Sequence, residues 1–206
     1  MENLKKIMFA ATVAIVTASP IFAQDAAEQE AFTNSYTLEY KGEYLKAAEA
    51  FKKGYDEKLY ETNLRAGWLN YEAALYTESV NYYKKAIALK PNSIEAKLGY
   101  AYPAAALGNM DQVIAQYNSI LQTDPQNSTA NYRLGLVYYN KKDYQSGLKY
   151  FEKVVNLYPF GYDALLMDAW TNLQLGKTNE AKILFKNVLL VSPTSQSALE
   201  GLAKIR

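Results

Sequence analysis

Four of the six prolines in this chain, Pro91, Pro125, Pro159 and Pro193, follow one another at intervals of 34 residues. Scattered loop prolines do not keep such a phase. A fixed period of this length marks a chain of repeated helix–turn–helix units, each needing a neighbour to cover its apolar side. Proline lacks the amide hydrogen and crowds the preceding turn, so it closes the second helix of each unit.

Other residue types keep the same phase. If each unit ends two residues after its proline, repeats run 60–93, 94–127, 128–161 and 162–195, preceded by a proline-free one at about 28–59. Gly67, Ala101, Gly135 and Ala169 share one place in the first helix. Ala47, Ser79, Val113, Gly147 and Ala181 share one in the second, and small side chains there let the two helices approach closely. Phe51, Tyr83, Tyr117, Phe151 and Phe185 share a third place and fill the space between adjacent helices. Gly42, Gly108 and Gly176 fall where a first helix must end, and glycine enters the left-handed conformation readily. Asn92 and Asp124 suit local capping and turn bonds at the junctions.

In the fourth repeat, Leu134-Gly135, Tyr138-Tyr139, Lys142-Asp143-Tyr144, Gly147, Phe151 and Pro159 follow in order. This pattern resembles the tetratricopeptide repeat family, departing only at Gly147 and Val154, where the family carries Ala. The resemblance covers nearly all of residues 28–195. It implies an all-α fold, an α-solenoid of about five helix pairs wound as a right-handed superhelix with a concave inner face. Residues 196–206 read as a capping helix, with Leu199, Leu202 and Ile205 at helical spacing to cover the fifth pair.

Residues 1–23 have the three-part layout of a secretory signal. Lys5 and Lys6 open it, a short apolar run from Ile7 to Val16 follows, Pro20 breaks the helix and Ala23 precedes the expected cut. The apolar run is well short of the roughly 20 residues of a spanning helix. The expectation is cleavage after Ala23, a mature domain of residues 24–206 and a periplasmic or secreted location without membrane insertion. The rival reading keeps the leader as an anchor.

The chain has no Cys and no His. Thiol nucleophiles, disulfides, Cys/His metal sites and histidine general bases are excluded. Phosphate-binding glycine loops and the GxSxG elbow are missing. Asp163 and Asp168 are near in sequence, but carboxylate pairs are common on helix surfaces. The expectation is therefore no enzyme, no metal and no cofactor. Without Lys5, Lys6 and Glu2 of the leader, acidic and basic residues balance, which gives no pull towards nucleic acid.

The resemblance implies that partners bind the inner face of the first helices. Here that face would carry Phe32, Tyr36, Trp68, Tyr71, Tyr102, Tyr132, Tyr139 and Trp170, including both tryptophans of the chain. Such rings combine contact area with a polar end and suit protein or peptide capture. Two alternatives stand beside this: tyrosine is abundant everywhere, at 19 residues, and a tight superhelix can bury its own inner face. Some family members clamp a C-terminal carboxylate. Arg133 matches one place of that clamp, but Leu64, Trp68, Gly99 and Thr129 stand where its companions would be, so Arg133 reads as a rim charge or an intrahelical partner. Pro103 falls mid-helix and is expected to kink it, as a tolerated irregularity or to shape the site. The functional expectation is an exported scaffold that holds a partner segment in an aromatic groove. The alternative is a structural unit that self-associates.

Overall fold

The computed structural model describes residues 20–205, with side chains from residue 26 onward. Among the described residues there are eleven α-helices and no strand. They fall into two compact units, divided between Tyr55 and Asp56.

The N-terminal unit holds α1 (Pro20–Tyr40), α2 (Tyr44–Phe51) and a 3-10 turn (Lys52–Gly54). Of the predicted leader, residues 1–19 lie outside the described residues. Pro20 is the first described residue and lies in α1. Phe51 is buried, as are Ala31, Ala47 and Ala48. Gly54 closes the unit, because a Cβ there would stand 2.6 Å from the Ala31 Cβ.

The C-terminal unit stacks four antiparallel pairs and a cap. The pairs are α3 (Tyr60–Glu72) with α4 (Tyr76–Leu89), α5 (Ile94–Ala106) with α6 (Met110–Thr123), α7 (Ser128–Asn140) with α8 (Tyr144–Leu157), and α9 (Tyr162–Gln174) with α10 (Thr178–Val191). The last helix is α11 (Gln196–Lys204), so Ile205 follows it rather than ending it. Within this unit α3 approaches α5 and α7 approaches α9, while successive second helices stay apart. The first helices therefore line the inner side of the stack.

The 34-residue phase acts through packing of rings on glycines. Phe151 lies on Gly135 of its own pair, where a Cβ would stand 2.5 Å from the ring. Tyr83 lies between Gly67 of its own pair and Gly99 of the next, and Phe185 lies against Gly201 of the cap. Gly147 brings α8 onto α7, its missing Cβ 3.3 Å from the Gly135 carbonyl. Each first helix of the unit ends in a left-handed residue: Ala74 (φ 58°), Gly108 (φ 76°), Lys142 (φ 61°) and Gly176 (φ 75°). The next amide then bonds back across the turn, as Leu75 N–H does to Asn70 (2.8 Å) and Asp143 N–H to Tyr138 (2.9 Å).

Two sequence expectations are corrected. The side chains that cap helix N-termini are not Asn92 and Asp124 but Ser93, Asn127, Asp143 and Ser195, which accept from Ala96, Ala130, Ser146 and Ala198. Asp124 serves indirectly, accepting at 3.1 Å from the Asn127 side chain. In the cap, Leu199 is 44% exposed, and the buried contacts are made by Ala198 and Gly201, with Leu202 and Ile205 alongside.

Candidate partner-binding site

The predicted face residues are divided between the two units. Phe32 and Tyr36 belong to the N-terminal unit. There Phe32 packs edge-on against Phe51 at 4.9 Å, and Tyr36 is 56% exposed with its ring 6.4 Å from Phe32.

In the C-terminal unit, Trp68, Tyr71 and Tyr102 do come together. Heptad-like spacing along α3 puts Trp68 and Tyr71 on one face, and the 34-residue repeat brings Tyr102 of α5 beside them. The ring centroids of Trp68 and Tyr71 are 6.0 Å apart, and those of Tyr71 and Tyr102 are 5.7 Å apart. Trp68 and Tyr102 are each 37% exposed. Burial pushes the Tyr71 phenol above its usual range, with the Glu72 charge adding to it and Arg133 opposing it.

Arg133 continues this cluster from α7. Its guanidinium carbon lies 5.7 Å from the Tyr102 ring centroid, within reach of a cation–π attraction. It is neither an exposed rim charge nor an intrahelical partner: it is half-buried, and its charge is felt by Tyr71, Tyr117 and Tyr132. The Tyr117 phenol is pushed up to about 12 by burial, against the pull of Arg133.

Beside Arg133 a cleft of about 640 Å³ opens between α5, α6 and α7. Ala101, Val113, Tyr117 and Val137 are among its walls, with Tyr102 and Leu136 beside them. Here α5 and α7 approach less closely than α3 and α5 do. A smaller hollow of about 390 Å³, between α7 and the start of α9, borders Arg133 on its other side and includes Tyr132, Tyr158 and Asp163.

The remaining predicted residues are engaged inside the stack. The Tyr132 ring meets Phe151 edge-on at 5.9 Å. Tyr139 packs on Tyr144 at 5.2 Å. Trp170 is taken up by the cap. Its ring meets Phe185 edge-on at 5.1 Å, its indole N–H donates to the Ser197 hydroxyl at 2.9 Å, and Lys204 lies 5.0 Å above it. Sequence reasoning missed the cleft itself. The signal was two alanines, Ala105 and Ala106, at places where the other pairs have larger residues.

Asp163 and Asp168 do not converge. Asp163 is exposed, while Asp168 is 4% exposed and accepts from the Asn172 amide at 2.8 Å. Burial, helped by the Glu152 charge, raises the Asp168 carboxyl to about 7. Among the described residues no group of three or more acidic side chains could hold a metal, and no helix is long and apolar enough to cross a membrane.

Comparison with known proteins agrees with this architecture. Tetratricopeptide repeat models match residues 64–128 and 128–160. A curated relative, the TPR repeat-containing protein YpiA of Bacillus subtilis, is 23% identical over 174 residues, covering 80% of this chain; the chain spans only 40% of that protein's length. Among solved structures, a tetratricopeptide repeat protein from Parabacteroides merdae superposes with a TM-score of 0.75 at 21% identity, covering 87% of this chain and 72% of that one. A MamA structure gives 0.72 at 21% identity, covering 82% and 93%, and MamA of Desulfovibrio magneticus gives 0.72 at 17%, covering 82% and 97%. At these identities the solved structures speak for the fold alone.

Proposed function

We propose that this tetratricopeptide-repeat chain is an exported scaffold that holds a segment of a partner protein against the inner face of its first helices. The observation that carries the reading is the contiguous Trp68–Tyr71–Tyr102 cluster, part-exposed beside an apolar cleft. Large rings next to a desolvated pocket are the usual anchors of protein interfaces. Export rests on the leader-like residues 1–23; an intact mass of the exported protein that begins at Gln24 would support it, and one retaining residues 1–23 would refute cleavage.

The test of binding is crosslinked purification from the native envelope, with Tyr102→Ala beside wild type. Because Tyr102 is part-exposed, the variant should melt close to wild type while partners recovered with wild type are lost. A variant that melts like wild type and keeps every partner contradicts the reading.

A second reading, self-association, draws on Tyr158, Phe160, Ile183 and Leu190, which are all exposed in the C-terminal unit. Molecular mass measured across a concentration series separates the two: a concentration-independent monomer favours the scaffold.

A further inference from the structure

Two departures from the repeat fall on the outer side of the last two pairs. The residues flanking the junction proline are Lys90 and Asn92, Asp124 and Gln126, and Ser192 and Thr194 at three junctions, but Tyr158 and Phe160 after α8. On the second helices, one outward place carries Asn81, Ala115 and Lys149 but Ile183 in α10. The place two turns on carries Ala88, Gln122 and Asn156 but Leu190 in α10. Tyr158 (56%), Phe160 (71%), Ile183 (61%) and Leu190 (72%) are all exposed, so none of the four is needed by the core. Exposed large apolar side chains gathered on one side mark an interaction surface.

The four belong to one region. Both α8 and α10 run antiparallel to α9, so the turn after α8 and the end of α10 lie at the same end of the stack. Lysines accompany them. Lys186 is three residues from Ile183 and four from Leu190, which places it between them on the surface of α10. The exposed charges of α8 and α10 are Lys149, Lys153, Lys182 and Lys186 against Glu152 and Glu180, a cationic excess. Neither of the two clefts takes a wall from α10.

Area decides between occupants. Four large side chains, each of roughly 200 Å² when bare and about two thirds exposed, offer about 500 Å². A stable protein interface takes roughly 800 Å² from each partner, and a second copy would also set lysine against lysine. An anionic lipid surface needs neither the area nor a matching shape. Apolar side chains enter it at the headgroup boundary, and each nearby lysine adds to the attraction.

We propose that this outer side of the C-terminal unit rests on an anionic lipid bilayer. Tyr158, Phe160, Ile183 and Leu190 reach the boundary between headgroups and acyl chains, and the lysines meet the anionic headgroups. The contact is peripheral, as no helix among the described residues is long and apolar enough to cross a membrane. It leaves the inner face of the first helices turned away from the lipid, and it does not depend on what that face binds.

The test is flotation of the protein, purified after export, with vesicles of phosphatidylcholine alone or mixed with phosphatidylglycerol. At low salt the mixed vesicles bind it about tenfold or more tighter than the neutral ones, and high salt removes the difference. Phe160→Gln combined with Leu190→Gln weakens binding to the mixed vesicles about tenfold or more. The melting temperature stays near wild type, because both side chains are exposed. Lys182→Gln combined with Lys186→Gln lowers the preference for phosphatidylglycerol, and Tyr102→Ala on the inner face changes neither. No binding to either vesicle, equal binding to both, or binding that survives both double variants overturns the proposal. So does vesicle binding lost with Tyr102→Ala. A molecular mass that falls from dimer to monomer in the Phe160→Gln and Leu190→Gln chain, with no vesicle bound, also overturns it and names a second copy as the occupant.

Discussion

Ala74 and Lys142 hold the left-handed turns that Gly108 and Gly176 hold in the neighbouring pairs. A left-handed conformation costs an L-residue roughly 1–2 kcal/mol, partly offset by the freedom that glycine loses on folding. Ala74→Gly and Lys142→Gly should therefore each stabilise the protein by about 0.5–1 kcal/mol. Urea unfolding checks this: the midpoint rises with the slope unchanged. Gly99 tests the opposite case, because a methyl group there runs into the Tyr83 ring. Gly99→Ala should lower stability by about 1–3 kcal/mol, the usual cost of overpacking. Asp168 predicts a pH dependence. Its folded pKa, about 7, is raised above the unfolded value near 4. The stability it allows is thus fully present below about pH 4 and lost as pH rises towards 7. Asp168→Asn should melt close to wild type at pH 4.5 and clearly higher at pH 8; equal melting curves at pH 8 would contradict the burial argument. The glycines and prolines were legible in the sequence because their backbone limits are intrinsic. Ala74 and Lys142 were not, because their geometry is imposed by the bonds that close the turn. The burial of Asp168 was legible in its repeat place, since its equivalents Ala66, Tyr100 and Leu134 are all core residues, but its carboxyl drew the reading to the surface.

At the scale of the element, α11 shows how a stripe can be read correctly as a helix and wrongly in its facing. The cap meets α10 through Gly201 on Phe185, so the small residues Ala198 and Gly201 point inward and Leu199 turns out. Leucine spacing alone cannot reveal that the face requiring closest approach selects the smallest side chains. The cap also holds Trp170, through Ser197 and Lys204. Removing residues 195–206 should bare Phe185 and free Trp170. With about 1.5–3 kcal/mol for each large apolar side chain returned to water, the melting temperature should fall by many degrees. The Trp170 emission should shift to the red in the folded state, as seen in a Trp68→Phe background. Trp170→Ala should likewise cost stability rather than partners, which departs from its expected role as an anchor.

At the scale of the molecule, the fold was open to reading because a period of 34 residues repeats four times and each copy repeats the same contacts. The site was only partly open. A family frame assigns faces, and Trp68, Tyr71 and Tyr102 stand on the inner face together, but the frame does not say which rings a neighbouring helix will take up. Trp170 went to the cap, Tyr132 to Phe151 and Tyr139 to Tyr144. The central claim is that partners meet the inner face at Tyr102. The direct measurement places a photo-crosslinking amino acid at Tyr102 and, separately, at Lys149, which is exposed on α8, and irradiates the native envelope. The account predicts a discrete heteromeric adduct from Tyr102 that is absent from Lys149 and is lost when Ala105→Tyr fills the adjoining cleft. The same adducts from both positions, or none from Tyr102, would contradict it.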